Sequence, residues 1–476
     1  MPVRSSPPPA APITGPVDAS PLATFTNTIR LRLRVPARLR NLELGLLIVA
    51  CGIVAFAIIL VQLGATGKLD VTTLTLSAGL AVLVFAMHFV MRVVARDADP
   101  LILPIITLLN GVGIAEIYRI DIAKGLSGWN SAGIRQIVWT GLAIAIAIAV
   151  IIVIRNHRVL QRYRYIAMFS GVVLLILPML PVIGRTVNGA RVWIGIGPFT
   201  FQPGELAKVA LAIFFAGYLV TARDSLSMVG RKFLWMKFPR ARDFGPIVVV
   251  FAASMGVLVF QKDLGTSLLY FGLFLVMIYV ATGRASWIVL GLVMFFGGAF
   301  VAYATLPYVD GRVHGWLDAF SNTYYTAQLN SSYQIVQGLF GLAHGGLIGT
   351  GLGRGRPDIT PLANSDFIFS SLGEELGLVG VFAILALYLL FVSRGFRIGF
   401  AGQDDFGRLL GVGLSFVIAL QVFIVIGGVT RVIPLTGLTT PFLAAGGSSL
   451  VANWIIAALL LRLSDTVRNQ PRLVIE

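Results

Sequence analysis

Twelve blocks of apolar residues, each about twenty long, decide what this chain can become. They run over residues 43–64, 72–93, 99–117, 133–154, 165–184, 204–221, 245–261, 264–282, 286–306, 367–393, 409–430 and 439–461. A helix needs about 20 residues, at 1.5 Å rise each, to cross roughly 30 Å of hydrocarbon. In that solvent every backbone N–H and C=O must be bonded within the chain, so only helices and closed barrels span it. Barrel strands are about ten residues of alternating polarity; these blocks are longer and apolar throughout. The sequence therefore predicts an all-α, polytopic integral membrane protein with about twelve transmembrane helices. Charged residues make up only 12 % of the chain, against roughly 25 % in soluble domains. Soluble enzymes, disulfide scaffolds and disordered proteins are excluded, and the lone Cys51 permits no intrachain disulfide.

The net charge is +16. In a soluble protein that would suggest nucleic acid. Here the basic residues sit in loops between apolar blocks, so the expected partners are anionic membrane lipids and not nucleic acid. With the N-terminus placed inside, about two thirds of the Lys and Arg residues fall in cytoplasmic loops, the positive-inside asymmetry. An even number of spans then leaves both termini cytoplasmic. One outer loop, 307–366, is far longer than the rest and rich in Gly and aromatic residues. Its apolar stretch over 331–343 predicts a re-entrant or interfacial helix.

Several polar groups stand against this apolar background. Asp366 sits where the long loop meets the tenth block, in Asn364-Ser365-Asp366-Phe367-Ile368-Phe369. Locally it reads as a helix cap; a carboxylate at the mouth of an outward cleft is also placed for acid–base work. Glu374 and Glu375 lie two turns further on. At least one must face the bundle interior and find a partner, since two carboxylates cannot both face hydrocarbon. Glu205 and Lys208, three residues apart at a helix start, form either an ion pair or a site where the cation meets a phosphate-bearing ligand, with Arg191 as a second donor. Asp263, beside Lys262 between two blocks, marks a tight turn or an ion pair lining a cavity. Ser448 follows the Gly446-Gly447 pair near the last block, which Pro441 and those glycines are expected to kink. A groove opening outward and lined by Arg191, Lys208, Asp263 and Asp366 is predicted. No zinc-type His/Cys pattern, Walker loop or nucleophile elbow is present.

In combination, these motifs resemble the SEDS (shape, elongation, division and sporulation) family, whose members include RodA and FtsW. The matching blocks are Gly189–Trp193, Phe201–Lys208, Gln261–Thr266, Tyr333–Gly353, Ser365–Gly380 and Pro434–Ser449. Gly204, Lys262 and Ala444-Ala445 depart from the family pattern, and Arg191 stands one place early. The resemblance implies a peptidoglycan glycosyltransferase that polymerises lipid II outside the cytoplasmic membrane, with a class B penicillin-binding protein as partner. It further resembles the elongation member of actinobacteria. A division polymerase, a flippase for lipid-linked precursors and a noncatalytic scaffold are the alternatives. The implied division is 1–42, a disordered basic tail; 43–95, an added helix pair; 96–463, the catalytic membrane domain; and 464–476, a cytoplasmic tail. Asp366 is implied to be catalytic and Arg191, Lys208 and Asp263 to bind substrate, with Glu205, Glu374, Glu375 and Ser448 in supporting roles. A divalent cation, Mg or Mn, bridging carboxylate and pyrophosphate fits such chemistry, with no metal cage visible in the sequence.

Overall fold

The computed structural model describes residues 36–469, apart from 182, 188, 197–198, 227–228, 234–235, 240–244 and 328–330. The tail expected over 1–42 lies outside the described residues up to Val35; from Pro36 onward the chain is helical. Four helices come first: α1 (Pro36–Thr66), α2 (Val71–Val94), α3 (Ile102–Ala123) and α4 (Ala132–Val153). A short α5 (Arg158–Arg162) turns into α6 (Arg164–Ile176), followed by strands β1 (Gly184–Val187), β2 (Ala190–Ile196) and β3 (Phe199–Phe201). Then come α7 (Pro203–Leu226), a hairpin of β4 (Val229–Phe233) and β5 (Met236–Pro239), α8 (Gly245–Gln261), α9 (Leu264–Thr282) and α10 (Ala285–Thr305). The long loop folds as α11 (Pro307–Leu317), α12 (Asn322–Tyr325) and α13 (Tyr333–Gly345). The bundle closes with α14 (Ile368–Ala401), α15 (Asp405–Val429) and α16 (Gly447–Arg468).

Ten of these helices are long and apolar enough to cross a membrane, and two shorter apolar helices cover Arg164–Met179 and Val248–Gln261. Each falls on one of the twelve apolar blocks. The protein is an all-α, multi-pass membrane protein. The helix expected over 331–343 is α13. Two details differ from the sequence expectation. The last helix begins at Gly447, not at 439, because residues 430–446 run as irregular chain into the bundle. Phe442, Leu443 and Ala444 in that segment are buried, and Phe442 stacks edge-on against Trp454, ring centroids 6.4 Å apart. Gly113 of α3 permits this approach: a methyl group at its Cα would lie 2.2 Å from the Leu443 carbonyl. The second difference is the sheet β1–β2–β3, antiparallel throughout. An Asn-Gly dipeptide between runs of β-branched residues is a hairpin signal, and it stands at 188–189.

Buried polar ties sort the helix ends onto two faces. On one, Arg462 donates to the carbonyls of Ile154 (2.9 Å) and Val94 (3.0 Å), and Asp99 pairs with Arg468 and, at 3.8 Å, with Arg394. The other face carries the sheet, residues 306–327 and 331–367, and residues 430–446. α1 packs on α3, where Tyr118 donates to Gln62 at 2.6 Å. At its end Glu43 accepts from Arg40 (2.6 Å) and meets His88 Nδ1 (2.7 Å).

α14 is two helices joined at Gly377, whose φ of 67° and ψ of −173° only glycine adopts readily. The freed backbone groups are re-paired with residues 346–351. Leu378 N–H donates to Gly346 C=O (3.0 Å) and Val379 N–H to Leu347 C=O (3.1 Å); Thr350 and Gly351 N–H donate to Glu374 and Glu375 C=O (3.0 Å each). A methyl at Gly377 would sit 2.3 Å from Gly349 N. Gly377→Ala is expected to cost at least about 1–3 kcal/mol from backbone strain, read as a lowered melting temperature of the purified protein. An unchanged melt would mean that the break does not depend on glycine.

Candidate functional site

Asp366 precedes α14 by two residues. The N-cap position is Phe367, and the helix has no side-chain cap, so the local reading of Asp366 as a cap is corrected. Asp366 is half-buried, and the neighbouring Ser365 hydroxyl donates to Leu362 C=O at 3.4 Å. Gly437, at φ 80°, lies beside Asp366; a methyl there would be 4.0 Å from Asp366 Oδ2. Burial, with the Asp263 carboxylate adding, pushes the Asp366 pKa up to about 6; the neighbouring Ser365 hydroxyl and the Arg312 guanidinium hold it back. A group poised there is ionised at neutral pH yet basic enough to take a proton.

Asp263 caps α9, accepting from Thr266 N–H at 2.9 Å and from Thr266 Oγ1 at 2.5 Å. Its pKa is raised by burial and held back by the Thr266 bonds and by Arg312. Lys262 makes the preceding turn at φ 57°, a conformation closed to proline. Arg312, on α11, was not singled out from the sequence. It donates through Nη1 to the carbonyls of Leu435 and Thr436, both at 3.2 Å. It therefore ties the long loop to residues 430–446 while acting on both carboxylates. Tyr308, one turn earlier, belongs to the same cluster: burial raises its pKa, and Arg312 and Asp263 also act on it. Arg312 had no sequence signal of its own: it is one of three arginines in the long loop 307–366, with Arg354 and Arg356.

The predicted four-residue groove is corrected in two places. Lys208 is buried, and its ammonium donates to Glu205 Oε2 (2.6 Å), Gln421 Oε1 (2.8 Å) and Asn453 Oδ1 (2.9 Å). An ammonium has three protons, and all three are committed, so none is left for a pyrophosphate. The ion-pair reading of Glu205 and Lys208 is the one the geometry gives. Arg191 sits half-exposed on β2, donating to Leu180 C=O at 3.3 Å. Among the described residues it has no hydrogen bond or ion pair with Asp263 or Asp366.

The Lys208 node reaches Asp366 indirectly. Gln421 donates to Thr439 C=O (2.9 Å), Thr439 bonds Ser449 (3.0 Å), and Asn453 donates to Ser449 Oγ (3.3 Å). This fixes residues 430–446, whose Ala445 N–H donates to Asn364 C=O at 2.8 Å. Ser448 is buried at the start of α16.

Glu374 and Glu375 hold the glycine-dense loop. Glu375 accepts from Arg119 Nε (3.0 Å) and from Gly353 and Gly355 N–H (2.8 and 3.2 Å). Glu374 accepts from Arg356 N–H at 2.9 Å and meets His344 Nδ1 at 3.1 Å. Arg119 was also missed in the sequence: it stands two residues past the block 99–117, between Glu116 and Asp121, where it reads as one more charge at a helix end. Among the described residues no group of three or more His, Cys, Asp or Glu side chains gathers to hold a metal. Two carboxylates with a guanidinium acting on both do not make a protein-only cage.

Fold and site together define a polytopic membrane protein with a carboxylate–guanidinium cluster under a folded cap on one face. The family model for the FtsW, RodA and SpoVE cell cycle proteins matches residues 99–469, and the chain belongs to that family. It is 45 % identical over 443 residues to the peptidoglycan glycosyltransferase RodA of Mycobacterium tuberculosis, covering 92 % of this chain and 93 % of that one. It is 34 % identical to the stage V sporulation protein E of Bacillus subtilis, over 78 % of this chain and 98 % of that one. Among solved structures it resembles the RodA of Thermus thermophilus, with 26 % identity, a TM-score of 0.54, and 78 % of this chain and 98 % of that one covered. A chain from a peptidoglycan synthase complex gives a TM-score of 0.60 at 28 % identity, over 78 % and 99 %.

Proposed function

We infer that this protein is a peptidoglycan glycosyltransferase of the elongation type, polymerising lipid II, with Asp366 as its general base. The observation that carries the site assignment is a half-buried carboxylate that caps no helix and is biased by Asp263 and Arg312. In the reaction Asp366 takes the proton of the acceptor sugar 4-hydroxyl as that oxygen bonds the donor anomeric carbon. The bond from that carbon to the polyprenyl pyrophosphate breaks, and the pyrophosphate leaves with the electron pair. Attack from the opposite side inverts an α-linked donor into a β-linked glycan. Arg312 is the cation best placed near the base for developing negative charge. The face carrying Asp366 is the outer one, and both termini are cytoplasmic; the arginine-rich helix ends on the opposite face support this orientation. The transpeptidase partner is a class B penicillin-binding protein.

Purified protein with such a transpeptidase, given lipid II in the absence of any ion gradient, is expected to make glycan strands. Lipid II crossing liposomes without polymer would overturn the enzyme reading in favour of a carrier. Arg312 carries its own expectation. Its positive charge holds the Asp366 pKa down, so Arg312→Gln should move the acidic limb of the rate profile to higher pH. A lowered rate with an unmoved limb would sever Arg312 from the base.

A further inference from the structure

The face opposite Asp366 carries a feature that glycosyl transfer does not use. The chain leaves α4 at Val153 and passes through α5 before α6 sets off along the bundle wall. At that corner an open depression of about 370 Å³ is lined by Arg158, Gln161, Arg162, Arg164 and Tyr165. Its three guanidiniums have few protein acceptors. Arg158 is exposed and reaches Asp404 only at 3.8 Å. That carboxylate is already engaged by His157 Nε2 (3.0 and 3.1 Å) and Gly407 N–H (2.8 Å). Arg164 donates to Gly217 C=O at 3.2 Å and lies 5.0 Å from the Tyr165 ring centroid. Arg162 is exposed and forms no hydrogen bond or ion pair among the described residues.

Along α6 from this corner, Tyr165, Ile166, Phe169, Val172, Val173 and Ile176 are all exposed. Their spacing places them on one stripe of the helix. The opposite side packs on α7, where Gly171 meets Leu211.

We propose that this corner binds the phosphate headgroup of an anionic phospholipid, with the acyl chains lying along the α6 stripe. Guanidinium forks match phosphate oxygens in geometry as well as charge. A basic membrane-facing surface attracts anionic lipid diffusely. What distinguishes this corner is a concave cluster of three arginines continuous with an apolar, aromatic-bearing stripe. A free phosphate would use the arginines alone; a lipid uses both parts.

The test titrates detergent-purified, delipidated full-length protein with phosphatidylglycerol or phosphatidylcholine and reads the most tightly retained lipid by native mass spectrometry. Wild-type protein is expected to favour phosphatidylglycerol by about tenfold or more. Arg158→Gln with Arg162→Gln should abolish that preference. Phe169→Ser should weaken retention of phosphatidylglycerol while leaving the arginines in place. Lipid-free melting temperatures confirm that both variants are folded. Undiminished preference in the double arginine variant overturns the proposal. So does complete displacement by millimolar inorganic phosphate together with indifference to Phe169→Ser, which would make this a site for a soluble phosphate.

Discussion

Asp366→Asn is expected to give a folded, partner-binding protein that polymerises lipid II at least about 10²-fold more slowly, the scale of general-base removal. The substitution keeps shape and hydrogen bonding but cannot accept the proton. Stability should not fall. A carboxylate whose folded pKa is raised costs folding free energy once it ionises, from its ordinary range through about 6 and above. Asparagine removes that cost, so the variant should melt at or slightly above the wild-type temperature at neutral pH. In the wild type the same pKa sets the acidic limb. The rate should fall about tenfold per pH unit below about 6 and level off above it. Near-wild-type polymerisation by Asp366→Asn would end the assignment.

Lys208→Met separates a substrate cation from a structural one. If Lys208 met a pyrophosphate, the variant would fold normally and show a raised KM. The geometry points the other way. Removing the ammonium leaves Glu205 buried without its partner and strips a donor from Gln421 and Asn453. Breaking one side of a buried ion pair costs about 3–5 kcal/mol, so yield and melting temperature should drop sharply. Glu205→Gln combined with Lys208→Met should recover part of that loss, because the stranded charge is gone. A stable Lys208→Met protein with weakened substrate binding would restore the pyrophosphate role.

The spans were legible because a bilayer imposes one length and one polarity on every crossing segment. The ends were less so. Pro441 and Phe442 look like membrane helix, but they belong to irregular chain buried in protein, where backbone groups find partners that lipid cannot offer. Asp366 was legible as an isolated carboxylate in a specific motif. Its freedom from capping was not, because Asp before an apolar run usually caps. Arg312 was illegible for a different reason: it stands 54 positions before Asp366, with α12 and α13 between them, and nothing local marks their proximity. Lys208 shows the converse. Spacing announced its pairing with Glu205, yet the full count of its acceptors depends on α15 and α16.

The break at Gly377 gives the first piece of α14 a mechanical identity of its own. Residues 368–376 form a short rod with Asp366 just beyond one end and the glycine joint at the other. Glu374 and Glu375, near the joint, clamp it to the loop at 349–356 and, through Arg119, to α3. A push on the folded cap is expected to tilt this rod about the joint before it bends the rest of the helix. Anything that grips the cap would then hold a lever with Asp366 at its tip.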